Sequence, residues 1–332
     1  MRAAVLDSYG PPSVLQVRDV DPPPLTRPGD VRVAIHASSI NPIDWKIRAG
    51  KQRGAIRYAL PRALGMDFSG VITEVGSGVT AFQIGDEVMG SPTHTSPGCY
   101  AEQTVVSASE IAKKPVNTSH LEAATLPLAG LTAWQCLLPK LTERTEQRVF
   151  IMAGSGGVGT LAIQIAKHHG AWVATTCSER NRELVLGLGA DQHIDYRTTK
   201  FEDVLSDLDL VLDSLGYEAT TRALPLVKRG GRLASIVSGL PGNTEKYGPN
   251  LGVAATGLGI LQLKVQGWRR GIDASTVVKR PRGDQLAELA ALVEQGVVRP
   301  VIDRTFPLDD IAAAHTYGET GRISGKVAIS IR

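Results

Sequence analysis

The chain is poor in cysteine. Cys99, Cys136 and Cys177 are the only three in 332 residues. They are odd in number and widely spaced, and no C-x-x-C pair occurs, which excludes a disulfide framework and the usual spacing of a structural zinc site. This scarcity fits a reducing compartment, and the expected location is the cytoplasm. Long runs of one charge are missing too. Lysine plus arginine number 36 against 33 acidic residues, for a net charge of +3. No block of five or six like charges marks an arm for nucleic acid, so no such partner is expected. The densest basic stretch, Arg269, Arg270, Lys279, Arg280 and Arg282, is broken by apolar residues and reads as a solvated face. No uncharged apolar run reaches the ~18 residues of a membrane span. The opening MRAAVLDSYG lacks the apolar core of a signal peptide, and no membrane association is expected. The most apolar window, Leu251 to Leu263, is rich in glycine and alanine and reads as a buried helix. No G-x-S-x-G elbow is present, which argues against a serine hydrolase. The seven histidines form no cluster; His168 and His169 stand where cations complement a helix C-terminus.

What is present is an ordinary globular composition, 42% hydrophobic and 21% charged, at a length of about two domains of ~150 residues. The first third is β-rich. Strand-like runs at Arg2–Leu6, Asp30–Ile35 and Gly70–Val75 alternate with turn chemistry at Gly10-Pro11-Pro12, Pro22-Pro23-Pro24 and Gly76-Ser77-Gly78. From Arg148 the rhythm changes to alternating strand and helix: 148–153, 161–167, 172–176, 181–188, 208–213, 220–227 and 231–237. That alternation predicts a parallel sheet covered on both faces. The tail predicts a helix from Asp284 to Gln295, a short strand at Pro300–Asp303, a turn into a helix at Pro307–Asp310 and a last strand from Lys326 to Ile331.

Gly154-Ser155-Gly156-Gly157-Val158-Gly159 fits G-x-G-x-x-G. It follows an apolar strand and opens a helix, the context in which the motif carries meaning. The first glycine permits the tight turn, the second lets the backbone approach a pyrophosphate, and the third lets helix and strand pack closely. Unpaired N–H groups at the helix N-terminus then face the phosphates. The second strand ends Thr175-Thr176-Cys177-Ser178, without the carboxylate that would bind a ribose 2′-hydroxyl. Ser178 donates to a 2′-phosphate and Arg180 neutralises it, which predicts NADPH rather than NADH. Glu179 stands between them and opposes a phosphate if it turns inward. Cys177 is an oxidation-sensitive thiol or, as the plainer alternative, a small core residue.

The two halves together resemble the medium-chain dehydrogenase/reductase superfamily over essentially the whole chain, and within it the zinc-independent, quinone oxidoreductase-like branch. The motifs that carry the resemblance are 38–50 (SSINPIDWKIRAG), 65–71 (GMDFSGV), 75–79 (VGSGV), 85–88 (GDEV), 98–102 (GCYAE), 126–134 (LPLAGLTAW), 189–191 (GAD), 194–196 (IDY) and 325–327 (GKV). The resemblance implies an α/β chain in which a Rossmann doubly wound parallel sheet is inserted into a GroES-like β-barrel domain. The expected GroES-like part is 1–126 completed by 282–332, the expected Rossmann part 127–281, and the active site lies in the cleft between them. Catalytic zinc in the alcohol dehydrogenase branch takes two cysteines and a histidine. Asn41, Met66 and Leu128 occupy those places here, so no metal is predicted.

Without a zinc Lewis acid, the reaction that remains accessible is hydride transfer to an electron-poor small molecule, a quinone or an α,β-unsaturated carbonyl, with donors stabilising the oxyanion that develops. The resemblance places Asn41, Asp44 and Lys46 beside the nicotinamide: Asn41 as an amide donor, Lys46 as a cation for the oxyanion or a cofactor phosphate, and Asp44 as the group that orients Lys46. It places Thr132 near the nicotinamide amide, Tyr196 at the adenosine end, and Gly216, Val237 and Ser238 at the ends of the following strands. Lys326 is expected at a cofactor phosphate or ribose, and Val278 among the cofactor contacts. The strand Ser275–Lys279 is expected at a sheet edge that pairs with a second subunit in a homodimer. Residues 51–62, with Tyr58, are the expected substrate segment. The enzymatic alternative is an enoyl-thioester reductase that docks an acyl carrier on the 269–282 region; the non-enzymatic one is an NADPH-binding sensor.

Overall fold

The computed structural model describes residues 1–54, 58–141 and 146–332. The chain divides into two compact units: Met1–Leu131 with Arg280–Arg332, and Thr132–Lys279. The boundaries read from the sequence, 126/127 and 281/282, differ from these by a few residues.

The first unit begins with β1 (Arg2–Leu6), β2 (Leu15–Asp19) and the long β3 (Asp30–Ile40). Helix α1 (Pro42–Arg48) follows, then β4 (Arg62–Ala63), β5 (Phe68–Val75), β6 (Glu87–Gly90), β7 (Gln103–Ser107) and β8 (Ile111–Lys113). Two helices close this part of the chain, α2 (His120–Ala123) and α3 (Pro127–Leu137), the latter running across the boundary between the units. β1 sits between β2 and β4 in a small antiparallel sheet, with Leu6 opposite Leu15 and Val5 opposite Ala63. β3 is the strand on which the rest is built, because it pairs with β5 and with β7. Val31, Val33 and Ile35 on β3 pack against Phe68, Ile72, Val88 and Cys99. Residues two apart on β3 thus face one core, the period-two pattern of a strand, in the run that the sequence marked as strand-like.

The second unit is a six-stranded parallel sheet. Its elements are β9 (Arg148–Ile151), α4 (Gly157–His168), β10 (Trp172–Cys177), α5 (Arg182–Gly187), β11 (Gln192–Asp195), β12 (Leu208–Asp213), α6 (Tyr217–Ala223), β13 (Val227–Ser235), α7 (Leu240–Arg270) and β14 (Asp273–Thr276). The strand order β11-β10-β9-β12-β13-β14 is the doubly wound order with its reversal between the first and fourth strands, the place where such sheets bind ligands. Phe150, Val211 and Leu233 on neighbouring strands are fully buried in one core with Phe201 and Leu224. β14 begins and ends earlier than the expected Ser275–Lys279 strand, and Val278 lies beyond it, 77% exposed. The expectation of a buried helix at 251–263 is also corrected. Those residues lie in α7, but most of them face solvent, because only Gly252 and Thr256 among 251–263 are buried against the unit.

The chain then returns to the first unit through α8 (Gly283–Glu294), β15 (Ile302–Pro307), α9 (Ile311–Glu319) and β16 (Lys326–Ser330). β16 is antiparallel to β3, with Val327 opposite Ile40, and parallel to β15. Both chain ends therefore build one sheet, as the resemblance implied.

His315 on α9 is fully buried, and its Nδ1 lies 3.2 Å from Nη1 of Arg48. A guanidinium only donates, so Nδ1 accepts and the imidazole is neutral. Burial, and then the Arg48 charge, push its pKa down to about 3. A histidine held neutral in the fold but free to protonate when unfolded removes stability as pH falls below its ordinary value near ~6.5, down to the depressed one. The fold therefore loses about 2 kcal/mol through this group between pH 7 and pH 5. Urea midpoints at the two pH values should draw closer together in His315→Asn, which keeps an acceptor and does not titrate. An undiminished gap would mean that His315 is not held neutral.

Candidate active site

In the second unit the phosphate loop is built by close packing. Ala153 takes a positive φ of 53°, and α4 starts at Gly157 with Gly156 as an N-cap that no side chain caps. A Cβ on Gly154 would lie 1.9 Å from Thr175 Oγ1, and one on Gly159 would lie 2.5 Å from the Ala153 carbonyl. These two glycines are required by the contact of helix and strand. Gly156 is different: its Cβ would meet only the Ala153 carbonyl, at 3.3 Å. A helix N-terminus without a side-chain cap, open at Gly156, fits a dinucleotide pyrophosphate. Val158 lies in the first turn of α4, and Ser155 accepts a hydrogen bond of 2.9 Å from Asn181 Nδ2. Asn181 thus ties the loop to the segment after β10. Nothing in the motif pointed to it.

At the end of β10, Ser178 is buried at the start of a short turn while Glu179 and Arg180 are exposed. The Glu179 carboxylate stands 3.8 Å from Nδ1 of His193 on β11. Tyr196, at the end of β11, is exposed with the Arg197 guanidinium 5.7 Å from its ring centre; it is not a core residue. Burial pushes the Cys177 thiol up to about 11, so it is largely protonated at neutral pH and a poor nucleophile.

After β12, Asp213 organises the next loop. It is fully buried; one oxygen accepts from the Leu215 and Gly216 N–H groups at 2.8 and 3.1 Å, and the other from Ser235 Oγ at 2.8 Å and from Thr220 Oγ1. This aspartate fixes Gly216, and it was not singled out in the sequence. Val237 and Ser238 follow β13, where Ser238 Oγ accepts from Leu240 N. Thr132 is buried on α3.

In the first unit four of the expected residues are drawn into or beside a buried polar network. The Lys326 ammonium donates to the Ile40 carbonyl (2.9 Å), to Asn41 Oδ1 (2.6 Å) and to Asp67 Oδ2 (3.4 Å). Asp67 also accepts from Ser39 Oγ, Asn41 Nδ2 and Leu128 N, each at 2.8 Å. One expectation is corrected by this geometry. Lys326 was placed at the cofactor, but it is buried and its three N–H groups are all used inside the unit. Asn41, expected as an amide donor, accepts from Lys326 through its carbonyl and donates through its NH2 to Asp67. Asp67 is the residue that sequence reasoning missed; it stood in the 65–71 motif without a role.

Asp44 is also redirected. Its Oδ2 accepts from the Asn41 N–H (2.8 Å) and the Tyr100 hydroxyl (2.9 Å), and its Oδ1 has no hydrogen-bond partner. It holds the start of α1 rather than Lys46. Burial raises its pKa to about 7, against the pull of those two donors. Lys46 is half-buried on α1, and burial, together with the Lys51 charge, lowers its pKa. Tyr58 is partly buried in the neighbouring core and carries the Arg62 guanidinium 4.1 Å from its ring centre. Residues 55–57 of the expected substrate segment lie outside the described residues. Among the described residues no group of three or more histidine, cysteine, aspartate or glutamate side chains is arranged to hold a metal, and no helix is long and apolar enough to cross a membrane.

Comparison with known proteins adds an independent line. Residues 27–116 match the family model for the alcohol dehydrogenase GroES-like domain, and residues 188–329 match that for zinc-binding dehydrogenases. The chain is 34% identical to the mouse (Mus musculus) mitochondrial NAD(P)H oxidoreductase RTN4IP1, over 100% of this chain and 89% of the relative. It is 34% identical to the chloroplastic NADPH-dependent alkenal/one oxidoreductase of Arabidopsis thaliana, over 99% and 79%. Among solved structures, the quinone oxidoreductase of Coxiella burnetii superposes with a TM-score of 0.86 at 34% identity, covering 100% of this chain and 99% of the other.

The raised pKa of Asp44 has a consequence for stability. An acid whose folded pKa of about 7 lies above its unfolded value near ~3.9 favours the fold while protonated, so stability falls as pH rises from ~4 to ~7 and then levels. Asp44→Asn keeps an acceptor for the two donors and cannot ionise. It should raise unfolding free energy by about 2–4 kcal/mol at pH 8 and change little near pH 4. Chemical denaturation at both pH values checks this; equal offsets at the two would mean that Asp44 does not titrate near neutrality.

Proposed function

Because the chain belongs to the medium-chain dehydrogenase/reductase superfamily and is an NAD(P)H-dependent oxidoreductase of the quinone/alkenal reductase type, we propose that it transfers hydride from NADPH to a quinone or an α,β-unsaturated carbonyl without zinc. One observation carries the zinc-free part. The three ligand places hold Asn41, Met66 and Leu128; the Asn41 amide is engaged by Lys326 and Asp67, and the Leu128 amide by Asp67. A methionine, an amide and a leucine do not supply the two thiolates and imidazole of a catalytic zinc. The residues matched to the zinc-binding dehydrogenase family model, 188–329, do not include the three places.

NADPH is favoured by Ser178 and Arg180 at the end of β10, with no inward carboxylate and with Glu179 near His193. The NADPH named for the Arabidopsis relative agrees with that choice. When bound, the cofactor supplies a hydride from its nicotinamide. The loop from Gly154 to Gly159 binds its pyrophosphate, and Asp213 holds Gly216 in place beside it. Lys46 donates to the acceptor oxygen on which negative charge develops. Burial and then the Lys51 charge lower its pKa, and an oxyanion beside it would stabilise its charged form. Asp44 positions Asn41 and the first turn of α1. A homodimer and a cytoplasmic location belong to the same reading. The first is supported by β14 standing at the edge of its sheet, the second by three cysteines that are all free and buried.

Chelator-treated protein should consume NADPH with quinones or enones as acceptors, and NADH more slowly. Turnover that returns only on adding zinc would overturn the zinc-free reading; NADPH binding without turnover on quinones, enones or enoyl thioesters would favour a sensor. Arg180→Ala should cut kcat/KM for NADPH about tenfold or more and leave that for NADH nearly unchanged. Lys46→Met should lower kcat about 10- to 100-fold at unchanged NADPH affinity.

A further inference from the structure

The His193 imidazole meets the Glu179 carboxylate at the end of β10, beside the residues expected at the ribose 2′-position. His193 stands on β11 opposite Thr175 of β10. Its side chain is 6% exposed, while that of Glu179 is 66% exposed. Nε2 lies 3.2 Å from the Cys177 carbonyl. A carbonyl only accepts, so Nε2 carries a proton and donates. Nδ1 is then left for Glu179 Oε2, 3.8 Å away. That distance is too long for a hydrogen bond and short enough for an ion pair. The backbone carbonyl thus fixes the tautomer, and the sign of the contact follows from it. In the neutral ring Nδ1 presents a lone pair to a carboxylate, which gives no attraction. In the doubly protonated ring it presents an N–H and a positive charge. Imidazole is the side chain that passes between these states from pH 5 to 8. Other ionisable groups stand around the ring. On β11, Asp195 accepts from the Arg197 N–H at 3.0 Å, and the Arg197 guanidinium lies over the Tyr196 ring. Just before β11, Asp191 is paired with Lys167 of α4 at 2.8 Å. On β10, the Cys177 thiol is held protonated, by burial first and by the Asp195 and Glu179 charges next. Arg180 follows Glu179 in the turn, and Arg182 and Glu183 open α5; all three are exposed. Among the described residues Glu179 forms an ion pair with His193 alone.

We propose that His193 biases the choice between NADPH and NADH: protonated, it holds the Glu179 carboxylate away from the ribose 2′-position, and on losing that proton it lets the carboxylate turn in. The proposal rests on the NADPH reading above and adds to it a residue and a pH dependence. A carboxylate at the end of the second strand is the group that binds a ribose 2′-hydroxyl. Beside a 2′-phosphate the same carboxylate repels. Glu179 stands between Ser178 and Arg180, so its rotamer decides whether the 2′-position meets a hydroxyl and a guanidinium alone or a carboxylate as well. The preference for NADPH therefore falls as pH rises. His193 acts through Glu179 and is a positioning residue. Because Glu179 is largely exposed, the pair is weak, and its effect is a factor of about three rather than an all-or-none change.

The test reads cofactor binding and needs no acceptor. Dissociation constants for NADPH and NADH are measured by fluorescence titration at pH 6 and pH 8, in the wild type, Glu179→Gln and His193→Gln. A phosphate monoester itself titrates near ~6, and dividing each NADPH preference by that of Glu179→Gln at the same pH removes this common part. The wild-type quotient should fall about threefold from pH 6 to pH 8. In His193→Gln, which keeps an amide donor for the Cys177 carbonyl, the quotient should stand at the low value at both pH values. His193→Gln/Glu179→Gln should regain the NADPH preference of Glu179→Gln, which a merely structural loss at His193 would not allow. A quotient that is flat in the wild type, or that still falls in His193→Gln, would overturn the role of His193; with NADPH still preferred, it would leave the NADPH reading standing. Tighter binding of NADH at both pH values would overturn both, since Glu179 would then meet the ribose whatever the state of the ring.

Discussion

A buried ammonium and a buried carboxylate hold the first unit together. Lys326, six residues before Arg332, and Asp67, just before β5, are both buried. Placing these charges inside a protein is costly, and it is tolerable only because each finds several partners. Burial pulls the Lys326 pKa down while Asp67 and Asp44 pull it back. Through this pair the last strand is bonded to the end of β3, to the start of α1 and to the amide of Leu128. The closing of one unit by both chain ends therefore depends on a few polar contacts as well as on the pairing of β16 with β3.

The same network engages the Asn41 side chain and the Leu128 backbone amide, at two of the three places where the resemblance puts zinc ligands. Asp67 receives Asn41, Ser39, Leu128 and Lys326, so its charge is answered from within the chain. Asp44 is answered less completely, with one oxygen unbonded and a pKa near neutrality. In the second unit Asp213 plays a comparable structural part with neutral donors only. Three buried aspartates, Asp44 and Asp67 in the first unit and Asp213 in the second, thus fix the loops that the proposed reaction uses.

Much of this was legible in the sequence, and the exceptions have physical reasons. The Gly154–Gly159 loop was readable because its glycines answer to backbone distances that no other residue tolerates. The strands of the second unit were readable because parallel sheets demand unbroken apolar runs. Asp67, Asp213 and Asn181 were not, since a carboxylate or amide in a motif does not announce which distant N–H groups it will meet. Lys326 was misassigned for the same reason: a lysine beside a glycine turn looks free until its partners, hundreds of residues earlier, are seen. The 251–263 window was misread because apolar composition does not say which residues of a helix face its own core; only Gly252 and Thr256 of that window are buried.

The central claim, that the buried Lys326–Asp67 pair organises the first unit, is tested most directly by a double-mutant cycle on unfolding free energy. Lys326→Met and Asp67→Asn should each cost about 3–5 kcal/mol, because each leaves the other charge buried or its donors unmatched, while the double variant should recover a substantial part of the summed loss. Single variants within about 1 kcal/mol of the wild type, or losses that simply add, would contradict it.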